Sequence, residues 1–224
     1  MSTCDCGRAE SNQFARLFID IASALVKESE FEGKIALRQA IRMYGGTIGQ
    51  MRKEFMINAG QKTNLKHAFD DGWGIPCTRD GAVREWIEKS EEQLFVNILE
   101  CPFARVWNEE DAELGHAFCE EFYPAYIKAA SNEKAQINLG KTLTNEGDEF
   151  CRISCYLRRT NMSQDENAVC FPDCDPAFIE KEWKDSPMDD AARCAVLKEC
   201  FRHILESAGL RGTAYNIASD SETR

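Results

Sequence analysis

Between positions 37 and 55, Leu37, Ile41, Tyr44, Ile48, Met51 and Phe55 recur at steps of 4, 3, 4, 3 and 4. That is the spacing of one face of an α-helix, held over five turns. Arg38, Arg42, Arg52, Lys53 and Glu54 fall off the row, so the stripe reads as a core face rather than a ligand groove. Gly45-Gly46 sits in its middle at a cost of roughly 1 kcal/mol per residue against alanine. Such a cost implies either close packing of another element or a kink. Phe14, Phe18, Ile21 and Leu25 repeat the pattern over 11–29. The two segments together predict an N-terminal antiparallel helix pair.

The chain then changes character. Residues 69–81 are dense in Gly, Asp and Pro and read as an irregular loop, in which Trp73 covers a pocket or plugs the core. A short amphipathic helix is expected over 82–92. Residues 93–100 read as a strand stopped by Pro102, which cannot donate to a ladder. Alternation places Phe95, Asn97, Leu99 and Cys101 on one side of it. A helix is expected over 109–123, with Glu109, Glu110, Asp111 and Glu113 in an acidic first turn, interrupted by Pro124 with a short turn of helix after it. Segments 135–143 and 149–158 form a β-hairpin turning at 145–148. On its return strand Cys151, Ile153, Cys155 and Leu157 face one way, and Phe150, Arg152, Ser154 and Tyr156 the other. Residues 160–188 read as loop, 189–207 as a helix with Cys194, Leu197, Phe201 and Ile204 inward, and the polar tail as mobile. The fold class is therefore α+β: an N-terminal helix pair packed with a small antiparallel sheet (strand–helix–hairpin) and a C-terminal helix. All 224 residues are expected in a single domain, with a helical part at 10–92, a core at 93–160 and a C-terminal part at 161–224.

Acidic residues outnumber basic ones by 38 to 27, a net charge of −11, which argues against a nucleic-acid footprint. No basic-then-apolar leader and no long apolar run is visible, so the expectation is a cytoplasmic protein without a membrane span. Eleven cysteines, odd in number and irregular in spacing, then read as thiols, small core residues or metal ligands. Cys4-x-Cys6 lies on a terminal segment and is weak evidence for a metal. Whether the N-terminal helices pack within one domain or form a dimer surface is open, so a homodimer is one expectation.

The usable chemistry gathers between Cys101 and Cys151. His116 and Cys119, three apart on a helix, point to one face. Cys101 at a strand end and Cys151 beside a hairpin turn would complete a tetrahedral set of three sulfurs and one nitrogen, suited to zinc or another soft divalent ion. Cys155 is excluded, because four residues of strand span roughly 13 Å. The bland alternative makes Cys119 and Cys151 core residues and His116 a surface one. A third reading pairs Cys119 or Cys151 with His116 as a nucleophile and its base. The acidic cluster is a solvated face, and Asp148 is first a turn residue and then a possible base. Arg105 or Arg152 could pair with a substrate carboxylate. Cys170 and Cys174 suggest a separate oxidant-responsive thiol pair.

Cys101-Pro102 after a strand, Leu114-Gly115 and Cys119 on a helix, and Thr142-Leu143-x-x-x-Gly147-Asp148-x-x-Cys151 resemble the L-2-amino-thiazoline-4-carboxylic acid hydrolase family. The run Arg38-Gln39-Ala40-Ile41-Arg42-Met43-Tyr44-Gly45 is similar to its N-terminal region, and the resemblance covers roughly residues 30–160. It implies an α+β hydrolase that adds water to the C=N carbon of a cyclic amidine, opening the ring to a carbamoyl-cysteine. Cys101, His116, Cys119 and Cys151 would form the metal or thiol centre, with Asp148 as proton acceptor and a small molecule as partner. The hairpin-plus-helix layout is more distantly similar to vinyl-reductase-type small-molecule-binding domains. Those hold a structural zinc through a helix E-x-x-C pair, where this chain has His116-x-x-Cys119. That likeness implies the competing function, a non-catalytic binding domain.

Overall fold

The computed structural model describes residues 3–69, 73, 80–172, 176–179, 181 and 188–220, with side chains from residue 13 onward. The side chains of Cys4 and Cys6, residue Cys174 and nearly all of 70–79 lie outside the described residues. Two long helices open the chain, α1 (Thr3–Glu28) and α2 (Glu30–Asn58), followed by one turn of helix, α3 (Leu65–Ala68). Then come β1 (Val83–Lys89), β2 (Gln93–Glu100), α4 (Pro102–Glu110), α5 (Ala112–Ala130), β3 (Gln136–Lys141) and β4 (Cys151–Tyr156). α6 (Gln164–Cys170), α7 (Asp190–Ala208) and α8 (Thr213–Ser219) complete an α+β fold. All strand pairs are antiparallel, in the order β1-β2-β4-β3. Among the described residues no helix is long and apolar enough to cross a membrane.

The N-terminal pair forms as its periodicity requires. Phe14, Phe18, Ile21 and Leu25 of α1 meet Leu37, Ile41, Tyr44 and Ile48 of α2 in one buried core. Past Ile48 the row runs off that core: Met51 is 37% exposed, while Arg52 and Met56 are buried instead. A row averaging about 3.5 residues per step drifts around a 3.6-residue helix by about 20° every seven residues. Trp73 plugs the core, with Phe55 at 5.1 Å and the Arg52 guanidinium at 5.5 Å from its ring. The two central glycines have different roles. A Cβ on Gly45 would stand 2.8 Å from the Phe122 carbonyl, and one on Gly49 2.5 Å from that of Tyr126, whereas one on Gly46 would meet nothing within 4 Å. Gly45 and Gly49 therefore form a smooth strip on which α5 lies. Arg38 and Arg42 fix the register by bonding the Glu121 carboxylate of α5.

Five local expectations are corrected. Residues 82–92 form β1 rather than a helix. A register shift between Trp86 and Glu88 breaks the strand's alternation, which gave Val83, Trp86 and Ile87 a helical look. The helix expected from Glu109 is two helices. Pro102 opens α4, with the Cys101 sulfur accepting from the Ala104 amide at 3.5 Å. Asp111 then restarts the chain by capping the Leu114 amide at 3.1 Å, so Glu109 and Glu110 close α4 instead of opening α5. The short stretch of helix expected after Pro124 is present, but Pro124 does not interrupt α5, which runs unbroken to Ala130; packing of Tyr126, Ile127 and Ala130 in the core outweighs the lost hydrogen bond. Within 160–188, Ser163 and Glu166 form a capping box that starts α6. The polar tail carries α8, whose Thr213 and Ala214 amides bond the Glu28 carboxylate and whose Ala214 and Ala218 are buried. On α7, Cys194, Leu197 and Phe201 are buried as expected, joined by Leu205 while Ile204 is only partly covered.

One face of the sheet carries Leu94, Val96, Ile98, Cys151, Ile153 and Cys155, all buried in the helical core. The expected two-sidedness of 150–157 therefore holds. The glycine strip makes a paired prediction. Gly49→Ala should lower the unfolding free energy by about 1–3 kcal/mol, as overpacking does, while Gly46→Ala should raise it by up to about 1 kcal/mol through helix propensity. Urea denaturation of the two variants measures both signs.

Candidate functional site

The β3–β4 connection, residues 142–150, is pinned from several directions. The Asn145 amide bonds the Thr142 carbonyl at 2.9 Å and the Asp148 amide bonds Asn145 at 3.2 Å, with Gly147 at φ 86°. That left-handed conformation favours glycine. Asp148 Oδ2 accepts from the Thr142 amide at 3.1 Å and its Oδ1 pairs with Lys141 at 3.7 Å. The Cys151 sulfur accepts from the Leu143 amide at 3.2 Å, and Asn108 donates to the Leu143 carbonyl at 2.8 Å. Thr142, Gly147, Asp148 and Cys151 thus hold one another in place.

Against this connection α5 sets His116. Its Nδ1 lies 2.9 Å from Thr142 Oγ1, and its Nε2 lies 3.3 Å from Glu120 Oε1, one helical turn on. The Thr144 hydroxyl donates to Thr142 Oγ1 at 3.2 Å. Thr144, Thr142, His116 and Glu120 therefore form a hydrogen-bonded chain of hydroxyl, hydroxyl, imidazole and carboxylate. In the tautomer that carries its proton on Nε2, the chain is directed: Thr142 donates to Nδ1 and the ring proton faces Glu120. Arg38 holds the far end through Glu120 Oε2 at 3.2 Å.

Behind the chain stand the three expected thiols. Cys119 and Cys151 are buried and Cys101 is half-buried. Burial pushes the Cys119 thiol well above its ordinary value, with Cys151 and Cys101 adding to the effect, so the three are within electrostatic reach of one another. Burial likewise raises Cys101, and lifts Cys151 to about 12 against the opposing bond from Leu143. Tyr123 lies in the same group: burial raises its hydroxyl, Cys119, Cys101 and Cys151 raise it further, and Arg84 lowers it. The thiols are therefore neutral at physiological pH, and a resting thiolate nucleophile does not form here.

His116 and Cys119 diverge. The imidazole meets Thr142 and Glu120, whereas the buried Cys119 thiol interacts with Cys151 and Cys101, although three residues leave them only about 60° apart around the helix. Both imidazole nitrogens are engaged, by Thr142 and Glu120. Among the described residues no three His, Cys, Asp or Glu side chains are arranged to hold a metal ion. The expected set of Cys101, His116, Cys119 and Cys151 does not fit a zinc ion as it stands, and no step is derived through one.

The expected substrate arginines separate. Arg105 is exposed, pairs with Glu100 at 3.7 Å and acts on the Cys101 thiol. Arg152 lies on the opposite face of the sheet from Cys151, bonding Asn97 at 3.1 Å. Arg84, which also acts on Cys101, has its guanidinium 5.8 Å from the Phe69 ring centre. Cys170 is buried, 3.7 Å from the Thr63 hydroxyl and 3.8 Å from the Ser131 carbonyl. Sequence reasoning missed Glu120, Thr144, Tyr123 and Arg84, and carried Thr142 only as part of a motif. The four-residue spacing of His116 and Glu120 was a readable signal. Nothing in the sequence marked the threonines as its partners.

A family model described as L-2-amino-thiazoline-4-carboxylic acid hydrolase matches residues 10–154. The chain belongs to that family. The matched span includes the hydroxyl–imidazole–carboxylate chain and all three thiols, and ends within β4. No curated protein and no solved structure was found to match.

The raised thiols predict a loss of stability in alkali. A group whose folded value lies above its unfolded value near 9.0 contributes in full below that value. The contribution is lost as pH climbs toward about 12, the folded value of Cys151. Denaturation at about pH 10.5 should give an unfolding free energy lower by about 2 kcal/mol for Cys151 alone than at about pH 8.

Proposed function

We propose that this protein opens the ring of a small cyclic amidine, such as 2-amino-thiazoline-4-carboxylate, by adding water to the amidine carbon. The observation that carries the reading is the directed chain Thr144–Thr142–His116–Glu120, a carboxylate–imidazole–hydroxyl arrangement of the kind that activates oxygen nucleophiles on unrelated folds. Membership of a hydrolase family supports it. A water at the hydroxyl end gives its proton along Thr142 to Nδ1 as its oxygen bonds to the C=N carbon. Glu120 stabilises the positive charge that then develops on the ring. The imidazolium returns the proton to the departing ring atom, and the ring opens to a carbamoyl-cysteine.

The surroundings suit that substrate class. Three neutral thiols and Tyr123 offer a soft, polarisable wall to a sulfur-containing ring. Arg84 and Arg105, both acting on Cys101, supply positive charge for a carboxylate. Asp148 serves by holding the Thr142 amide and so aiming the hydroxyl. Arg152 takes no part in this reading, because it faces the other side of the sheet.

The test follows the loss of 2-amino-thiazoline-4-carboxylate by chromatography. His116→Gln and Thr142→Val should each lower kcat by about 10²–10⁴-fold with the fold retained by circular dichroism, and Glu120→Gln should lower it less. A wild-type protein that binds the thiazoline without opening it would overturn the reading in favour of a binding domain. Full activity in Thr142→Val would remove the hydroxyl from the mechanism.

A further inference from the structure

The two tyrosines of α5 differ at their hydroxyls. Tyr126 donates to the Ala68 carbonyl at 2.8 Å. Tyr123 is only 5% exposed, yet among the described residues its hydroxyl makes no hydrogen bond. A phenol carried that deep ordinarily has a partner. Its place on α5 says where the partner would lie. Tyr123 follows His116 by seven residues, which sets it within about 20° of the same helix face and about 10 Å further along the axis. Cys119 stands between the two.

The sheet brings a cation to the same place. Arg84 pairs with Ile98 and Ile98 with Cys151, so the three form a row across β1, β2 and β4 on the face that meets the helices. The other residues buried on that face are apolar or thiols. Phe69 joins Arg84 to Tyr123: its ring stacks with that of Tyr123 at 6.1 Å and lies 5.8 Å from the Arg84 guanidinium. Burial keeps the Tyr123 hydroxyl protonated, and so a donor.

We propose that Tyr123 selects the carboxylate of a small cyclic ligand: its O–H donates to a carboxylate oxygen, and Arg84 supplies the positive charge beside it. For the identity of the ligand this rests on the ring-opening reading, which sets the amidine carbon at Thr142 and His116. A five-membered ring bearing a carboxylate, with a hydrogen bond at either end, spans about 10 Å. That matches the rise from His116 to Tyr123. A ring without the carboxylate would leave the phenol and the charge facing apolar atoms, so the site discriminates against it.

Two probes that cannot be hydrolysed keep the test independent of turnover: thiazolidine-4-carboxylate, which has no C=N bond, and thiazolidine, which lacks the carboxylate as well. NMR titration of wild type should show the carboxylate probe binding at least about 10-fold more tightly. Tyr123→Phe should weaken that probe by about 10–100-fold and leave thiazolidine unchanged. Without ligand, its stability in urea should equal or exceed that of wild type, because the hydroxyl removed has no partner in the protein. Arg84→Met should weaken the same probe. A wild type that binds neither probe, or binds both alike, overturns the proposal. So does a Tyr123→Phe protein that keeps wild-type affinity, weakens both probes equally, or loses stability without ligand. Carboxylate-selective binding in a protein that opens no thiazoline ring would sink the hydrolase reading alone.

Discussion

The close approach of α2 and α5 is the contact from which the remaining layers take their places. Gly45 and Gly49 let the α5 backbone lie directly on α2 at Phe122 and Tyr126, closer than any side chain would allow. Contact at that range fixes rotation as well as distance. Phe118, Phe122 and Tyr126 are thereby turned into the aromatic core, where Phe118 and Phe122 stack at 5.1 Å and Phe122 and Tyr126 at 5.4 Å. Cys119 and Tyr123 are turned toward the sheet, and His116 is left at the edge where β3 gives way to the 142–150 connection. Rotating α5 would separate imidazole from hydroxyl.

The same contact links the site to the N-terminal pair. Arg38 bonds both Glu120 and Glu121, and Arg42 bonds Glu121. Burial alone would raise the Glu121 carboxyl, yet the hydrogen bonds from Arg42 and Arg38 hold it below its ordinary value. Glu120, the end of the hydrogen-bonded chain, therefore sits beside an ion-paired carboxylate and shares its arginine. On the other side, burial in an apolar core keeps the thiols uncharged. The site thus combines a directed polar chain with an uncharged sulfur wall, and both are consequences of where one helix lies.

The layers of the fold were legible because burial imposes periodicity: the α2 stripe, the alternation in β4 and the α7 face could all be read as written. Errors fell where local pattern and tertiary packing disagree. The bulge in β1 disguised a strand as a helix, and Pro124 suggested an interruption that the packing of Tyr126 and Ile127 overrode. Asp111 and Ser163 were readable caps that were passed over, so α4 and α5 were merged and α6 missed. At the site, sequence brought the right segments together but did not resolve which side chains meet. His116 and Cys119 share a stretch of helix and still face different neighbours. The hydroxyl partner of His116, Thr142, lies just past β3, 26 residues away, a distance no spacing rule spans.

The central claim is that His116 is a directed proton acceptor between Thr142 and Glu120. Nitrogen-detected NMR of the imidazole, recorded with and without 2-amino-thiazoline-4-carboxylate, tests it most directly. The account predicts a bare Nδ1 and a protonated Nε2 in the free protein, with the Nδ1 resonance shifting as the thiazoline binds. A proton found on Nδ1, or an imidazole unmoved by saturating thiazoline, would contradict it.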